Sequence, residues 1–309
     1  MSTIIDCHMH VIPVWCGARN GIIPIKGERY GKVRFEGKGI ERIMPPSFTN
    51  MTVWPEMVLE YMEWTGVDKA VLLQAPLYGV HNEYVSEVLT NHKDKFIAGF
   101  GLLDPRDEDA SEKVSHLIKS MGFRGIKFEV PDVPFWLDDE EYFPIWERIQ
   151  KEEGILALDL GWDKDDNPYC FQIKQLRELL KHFPQITVVV LHLGVSRLWD
   201  QSQKYPFSCL QETLALNEFP NVWFELSGVP LLCEAEEYPY PRAQEIIKVV
   251  WEAVGVDRIL WGTDFPTVLE ACTYRQALNL VKRNCDFLST EDKNKILGEN
   301  AMRLYRLQK

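Results

Sequence analysis

Two histidines two positions apart, His8 and His10, close the first apolar stretch of the chain, Ile4-Ile5-Asp6-Cys7. On a β-strand the side-chain period is two, so both imidazoles face the same side. Paired neutral imidazoles at the end of a buried strand are ligands for zinc, manganese or iron, with geometry deciding among them. Taken alone, the pair reads equally well as one packed histidine beside one exposed one. Other polar residues also stand at the ends of apolar runs: Gln74, Lys127, Glu129, Asp159, His192, Glu225, Ser227 and Asp264. Val188-Val-Val-Leu-His192 and Ile259-Leu-Trp-Gly-Thr-Asp264 are the clearest cases. A polar group at the buried end of an apolar strand costs free energy unless it is paired or ligating. A satisfied core histidine accounts for His192 alone, and a loop cap before Pro266 accounts for Asp264 alone. Convergence of all of them on one mouth points instead to a metal site.

The elements that must bring them together are legible as a rhythm. Strands are expected over residues 4–10, 69–74, 96–103, 125–130, 155–160, 186–192, 222–226 and 259–264. Helices are expected over 56–64, 83–91, 108–120, 139–153, 170–182, 208–216, 242–254, 274–284 and 290–307. Ser289 and Thr290 with Glu291 form an N-cap signal for the last helix. Short, nearly continuous apolar strands between amphipathic helices mean parallel strands covered by helices. Eight such units make a single α/β domain over residues 1–309, a (β/α)₈ TIM barrel whose active site lies at the C-terminal strand ends. An open doubly wound sheet is the runner-up. No Gly-x-Gly-x-x-Gly follows the first strand, so a dinucleotide site is not supported.

Residues 11–55 interrupt the rhythm with a long insertion after strand one, rich in Gly and Pro. It carries Arg19, Lys26, Arg29, Lys32, Arg34 and Lys38 among Trp15, Tyr30, Phe35 and Phe48. A segment this long in a compact domain is functional or disordered, and its aromatic content argues for order. A short hairpin is expected around 32–35. The insertion is read as a lid over the site that selects the substrate.

The chain has 309 residues, 46% of them hydrophobic and 26% charged, enough for a large core. A net charge of -12 repels phosphate backbones, which argues against nucleic acid as a partner. Seven scattered cysteines without a Cys-x-x-Cys pair argue against a disulfide framework and a thiolate zinc site. No basic start with an apolar core suggests a signal peptide, and no run of about 18 apolar residues suggests a membrane span. The expectation is a cytoplasmic enzyme, forming a homo-oligomer such as a dimer, that acts on a small molecule without membrane or nucleic-acid partners.

Four segments carry a family resemblance: Ile5-Asp-Cys-His-Met-His10, Gly122-Phe-Arg-Gly-Ile-Lys127, Leu191-His-Leu-Gly194 and Trp261-Gly-Thr-Asp-Phe-Pro266. In this order, across nearly the whole chain, they resemble the amidohydrolase superfamily. The resemblance is to its amidohydrolase-related branch, which contains aminocarboxymuconate semialdehyde decarboxylase and resorcylate decarboxylase. It implies a (β/α)₈ barrel with one divalent metal, zinc or manganese. His8, His10 and Asp264 would be ligands, and His192 a catalytic imidazole outside the ligand set. At the end of strand five this chain has Asp159 where the family pattern has a histidine. Asp159 is then a candidate oxygen ligand, or else the site has lost its metal. The resemblance implies an uncarbamylated Lys127.

Three readings follow. In the first, the enzyme hydrolyses a small ester, lactone or amide, with Asp264 as general base and proton shuttle. In the second, it decarboxylates an aromatic or unsaturated acid without oxidation, or hydrates a double bond. In that case Asp264 delivers a proton and Arg19, Arg34 or Lys127 holds the carboxylate. Trp15, Trp54, Tyr78, Phe128 and Trp162 are candidate walls, against plain packing for each one. In the third, the barrel is metal-free and binds a ligand. The substrate-binding set most expected is Trp15, Arg19, Lys127 and Trp162.

Overall fold

Eight short parallel strands, laid down in chain order, form the frame. They are β1 (Ile5–Met9), β6 (Lys69–Leu72), β7 (Phe96–Gly101), β8 (Gly125–Glu129), β9 (Ile155–Asp159), β10 (Thr187–Val190), β11 (Val222–Glu225) and β12 (Ile259–Leu260). The computed structural model describes residues 2–19, 21–161, 167–194, 200, 202–233 and 236–306. β12 returns to β1 through a parallel bridge between Met9 and Phe265. Backbone bonds from Cys7 to Trp261 (3.0 Å), Asp264 to His8 (2.9 Å) and His10 to Phe265 (2.9 Å) complete the closure. The result is the expected (β/α)₈ barrel.

Alternation along the strands divides the core into two layers. Ile5, Cys7, Val71, Leu73, Phe100, Ile155, Ala157, Val189, Leu191 and Trp223 belong to one cluster, which Leu304 and Tyr305 of the C-terminal segment join. The intervening residues, such as Ala70, Leu72, Ile126, Phe128, Leu156, Leu158 and Val188, pack in the layer shared with the helices. The helices present apolar stripes at three- and four-residue spacing. In α5 (Ile173–His182) these are Ile173, Leu176, Leu179 and Leu180; in α7 (Pro241–Val254) they include Ile246, Ile247 and Val250. Strand β8 starts at a glycine for a steric reason. A Cβ on Gly125 would lie 1.9 Å from the Ile155 carbonyl oxygen, so any side chain would force the two strands apart.

The insertion is more ordered than a loop with one hairpin. β2 (Ala18–Arg19), β3 (Ile23–Gly27), β4 (Lys32–Phe35) and β5 (Gly39–Arg42) form an antiparallel sheet. The expected hairpin segment is its central strand β4, with Val33 and Phe35 buried and Lys32 and Arg34 exposed. That alternation gives the sheet one buried face, shared with Ile25 of β3, which joins the core cluster together with Met44 and Phe48. The helices lie close to their expected spans, and α9 (Thr290–Asn294) is capped by reciprocal bonds between Ser289 and Asp292. Among the described residues, no helix is long and apolar enough to cross a membrane.

Candidate metal centre and active site

All the polar strand-end residues named above except Gln74 collect around the C-terminal ends of the barrel strands. Gln74 is spent on structure: its amide reaches Asn82 and the Phe100 carbonyl, and its oxygen accepts from the His81 backbone. The register of β1 on β6 shifts between Asp6 and Met9. Such an irregularity re-aims side chains, and here it leaves Cys7 in the apolar plug while turning His8 and His10 to the mouth. Their ring centroids are 5.0 Å apart, and His8 lies 4.7 Å from the ring of His192. Glycine is required next to them. A Cβ on Gly262 would stand 2.8 Å from the His8 Cβ.

Asp264 and His192 sit on backbone turned away from strand geometry. Asp264 has φ 64°, and His192, Leu193 and Gly194 follow one another at 51°, 56° and 67°. Side-chain residues are uncommon in this left-handed region, and such strain clusters at functional sites. It also shortens the strands. β10 stops at Val190 and β12 at Leu260, short of the expected ends at 192 and 264, because the chain bends there to bring His192 and Asp264 inward.

Hydrogen-bond partners assign the imidazole tautomers. The Nδ1 of His10 donates to the Leu73 carbonyl at 2.9 Å, and the Nδ1 of His8 faces Glu225 Oε2 at 2.8 Å. The Nδ1 of His192 lies 3.1 Å from the Ser227 carbonyl and 2.9 Å from its hydroxyl. Each ring therefore turns its Nε2 toward a carboxylate. His10 Nε2 is 3.0 Å from Asp264 Oδ1, His8 Nε2 is 3.6 Å from the same oxygen, and His192 Nε2 is 3.6 Å from Asp159 Oδ2. Burial holds His8 well below the ordinary imidazole range, reinforced by His192, His10 and Lys127. Burial also lowers His10, although Asp264 opposes the shift. Two neutral nitrogen lone pairs thus face one carboxylate oxygen, and the buried His8 Nε2 has no hydrogen-bond partner. Acceptors facing acceptors in a dry site need a cation among them. His8, His192 and Asp264 form a group whose ligand atoms all lie within 4.8 Å of one another. This donor set suits a divalent metal.

His10 and Asp159 stand outside that trio. His10 turns its Nε2 to the same Asp264 oxygen at 3.0 Å, and Asp159 accepts from the Gly161 backbone at 2.9 Å while facing His192. Lys127 is buried, with its Nζ 3.4 Å from Glu129 Oε2. Burial pulls its ammonium down, but Glu129, Asp159 and Asp264 outweigh that and raise it. Burial pushes the Glu129 carboxyl up, against the pull of Lys127.

Of the expected substrate contacts, Trp15 lies in a short aromatic stack. Its ring meets Tyr78 edge-on at 4.7 Å, and Tyr78 meets His10 at 4.9 Å. The Trp15 indole donates to the Met51 carbonyl, and the Tyr78 hydroxyl bonds Thr267 at 2.9 Å. Arg19 is half exposed, 3.6 Å from Glu41 and stacked over Phe35. Trp162 lies outside the described residues. Asp6 escapes a reading of sequence alone, and Glu225 and Ser227, legible as polar strand-end residues, gain their partners only here. Asp6 accepts bonds from His8 N, Thr263 N, the Thr263 hydroxyl and Tyr274, tying β1 to the end of β12. Glu225 and Ser227 hold the outer nitrogens of His8 and His192. Their two-residue spacing at the end of an apolar strand is the same signal that His8 and His10 give.

The amidohydrolase family model matches residues 5–307, and the chain belongs to that family. It is similar to L-fucono-1,5-lactonase of Burkholderia ambifaria, 26% identical over 253 residues that cover 79% of this chain and 82% of that protein. Among solved structures, a zinc-bound amidohydrolase from Burkholderia multivorans aligns with TM-score 0.73 at 18% identity, over 99% of this chain and 100% of that one. 5-Carboxyvanillate decarboxylase from Sphingomonas paucimobilis aligns with TM-score 0.61 at 16% identity, over 81% and 82%. The chain is therefore an enzyme of that family, similar in sequence to a lactonase and in fold to a decarboxylase.

Proposed function

We propose that this enzyme hydrolyses a small, uncharged lactone with one divalent metal, zinc or manganese, held by His8, His10, His192 and Asp264. The observation that carries the metal is the meeting of the His8 and His10 lone pairs with one Asp264 oxygen. His192 then serves as a donor, inside the ligand set that the family resemblance leaves it out of. A bound cation of this kind supplies Lewis-acid polarisation of the ester carbonyl. Asp264 takes a proton from the attacking water and returns it to the ring oxygen as the ester bond breaks, leaving a hydroxy acid. His10 Nε2, 3.0 Å from the same Asp264 oxygen, would be the fourth donor to that cation. Tyr78 and Trp15 wall the mouth against water.

Charge supports a lactone over an aromatic acid. Among the described residues, Lys127 is the buried cation of this region, and Glu129, Asp159 and Asp264 already surround it. Arg19, expected to hold a carboxylate, is occupied by Glu41. An uncharged ester enters such a site without adding a further anion, whereas the carboxylate of a benzoate would have to be met by the divalent metal itself. The test is a panel of aldonolactones and aliphatic lactones followed by proton release, beside hydroxybenzoates followed by carbon dioxide release. Both panels use protein loaded with zinc or manganese. Lactone opening that Asp264→Asn abolishes supports the reading. Carbon dioxide release with no lactone opening replaces it by the decarboxylase reading.

A further inference from the structure

We infer that Glu225 and Ser227 form one hydrogen-bonded bracket that positions His8 and His192 together, so that a single pair of β11 residues sets the affinity of the divalent-metal site. The inference rests on the metal reading above. Both residues are buried at the end of β11, two apart and therefore on one face. Glu225 Oε2 meets the His8 Nδ1 at 2.8 Å, and the same oxygen accepts the Ser227 hydroxyl. That hydroxyl lies 2.9 Å from the His192 Nδ1. The chain of contacts runs unbroken from one imidazole through hydroxyl and carboxylate to the other.

Two features show that packing alone does not account for the bracket. The other carboxylate oxygen, Glu225 Oε1, is buried with no hydrogen-bond partner. A carboxylate left half unpartnered in a barrel interior is a cost to folding, which an uncharged group of the same shape relieves. The His192 main chain is also in left-handed geometry rather than in the β10 ladder. The contacts to Ser227 hold the Nδ1 side of its ring while Nε2 faces Asp159. Groups that hold the outer nitrogen of a metal-binding imidazole fix its tautomer and raise its basicity, and losing one costs about 10–100-fold in metal affinity.

The experiment measures zinc affinity by competition with a chromophoric chelator, and melting of the metal-free protein, for wild type, Glu225→Gln and Ser227→Ala. Glutamine keeps an oxygen for both contacts and replaces the carboxyl by an amide that cannot ionise. It is expected to weaken zinc binding about 10–100-fold while leaving metal-free melting unchanged or raised. Ser227→Ala is expected to weaken zinc by less, because His192 retains the Ser227 carbonyl. Glu225→Gln affinity within twofold of wild type, or a loss of melting temperature without a loss of affinity, overturns the bracket. Wild-type protein that binds no zinc overturns the metal reading itself, and the bracket with it.

Discussion

Replacing Gly262 by alanine tests how closely the end of β12 is built against β1. The added methyl carbon would sit 2.8 Å from His8 Cβ, 3.1 Å from His8 N and 3.2 Å from Ser227 Cβ. Carbon atoms rest at about 3.5–4.0 Å, so the two segments must separate by roughly 0.7 Å or more. Neither neighbour is the free end of a flexible side chain. His8 is tied by its ring to Glu225 and by its carbonyl to the Asp264 backbone. Overpacking of this kind costs about 1–3 kcal/mol. In a protein of this size that lowers the melting temperature by roughly 2–5 °C. The catalytic cost is larger. A 1 Å misplacement of catalytic groups costs on the order of 100-fold, and the displaced residues here are His8 and Asp264 themselves. Turnover is expected to fall by about 10–100-fold at temperatures where the variant is fully folded. Gly122→Ala is the control. Its φ is also left-handed, at 77°, but nothing lies within 4 Å of its Cβ position. It is expected to lose about 1–2 kcal/mol and no activity. Thermal melts and kcat/KM for both variants check the reasoning. A Gly262→Ala enzyme with wild-type melting and turnover refutes the close approach.

Four further outcomes follow from the site and the core. Asp264→Asn removes the proton carrier and is expected to lower turnover by at least about 100-fold; an active variant removes that role. His192→Asn is expected to abolish stoichiometric zinc binding by elemental analysis, whereas full retention with lost turnover returns His192 to a purely catalytic part. Trp15→Ala takes away the ring that meets Tyr78. Truncating a buried Trp costs about 3–5 kcal/mol, so the melting temperature is expected to fall and, in the folded variant, KM to rise with kcat little changed; an unchanged KM argues against a lid role for the insertion. Burial pushes the thiols of Cys233, Cys272 and Cys285 up to about 12, while Cys16 is exposed. A raised thiol stays protonated and unreactive below that pH. At pH 8 the native protein should therefore alkylate at Cys16 well before those three, as peptide mass mapping would show.

The fold was legible because its signal is local. The run Ile155-Leu-Ala-Leu-Asp159 is apolar on both faces, which only a strand covered on both sides tolerates. The apolar spacing in α5 and α7 fixes the faces that cover it. The strand ends were less legible, because they depend on where the chain bends. Nothing in Leu191-His-Leu-Gly194 apart from the glycine announces three successive left-handed residues. Those residues decide whether His192 continues a ladder or turns into the mouth. The insertion lay between these cases. Its central strand shows in the alternation of Lys32, Val33, Arg34 and Phe35, whereas β5 is exposed along its whole length and leaves no pattern.

The same division runs through the candidate site. His8 and His10 are found by a period of two, which is a property of the strand they occupy. Glu225 and Ser227 show the same period, yet sequence assigns them no partner. Their role rests on a contact between positions 217 residues apart that only the closed barrel makes. That contact changes what the histidines can do. A ring whose Nδ1 is engaged can offer only Nε2, and in this site Nε2 of His8 and of His10 both meet Asp264. Sequence thus identifies which residues are able to ligate. The hydrogen bonds on the far side of each ring select the atom that does so, and with it the place where a cation is needed.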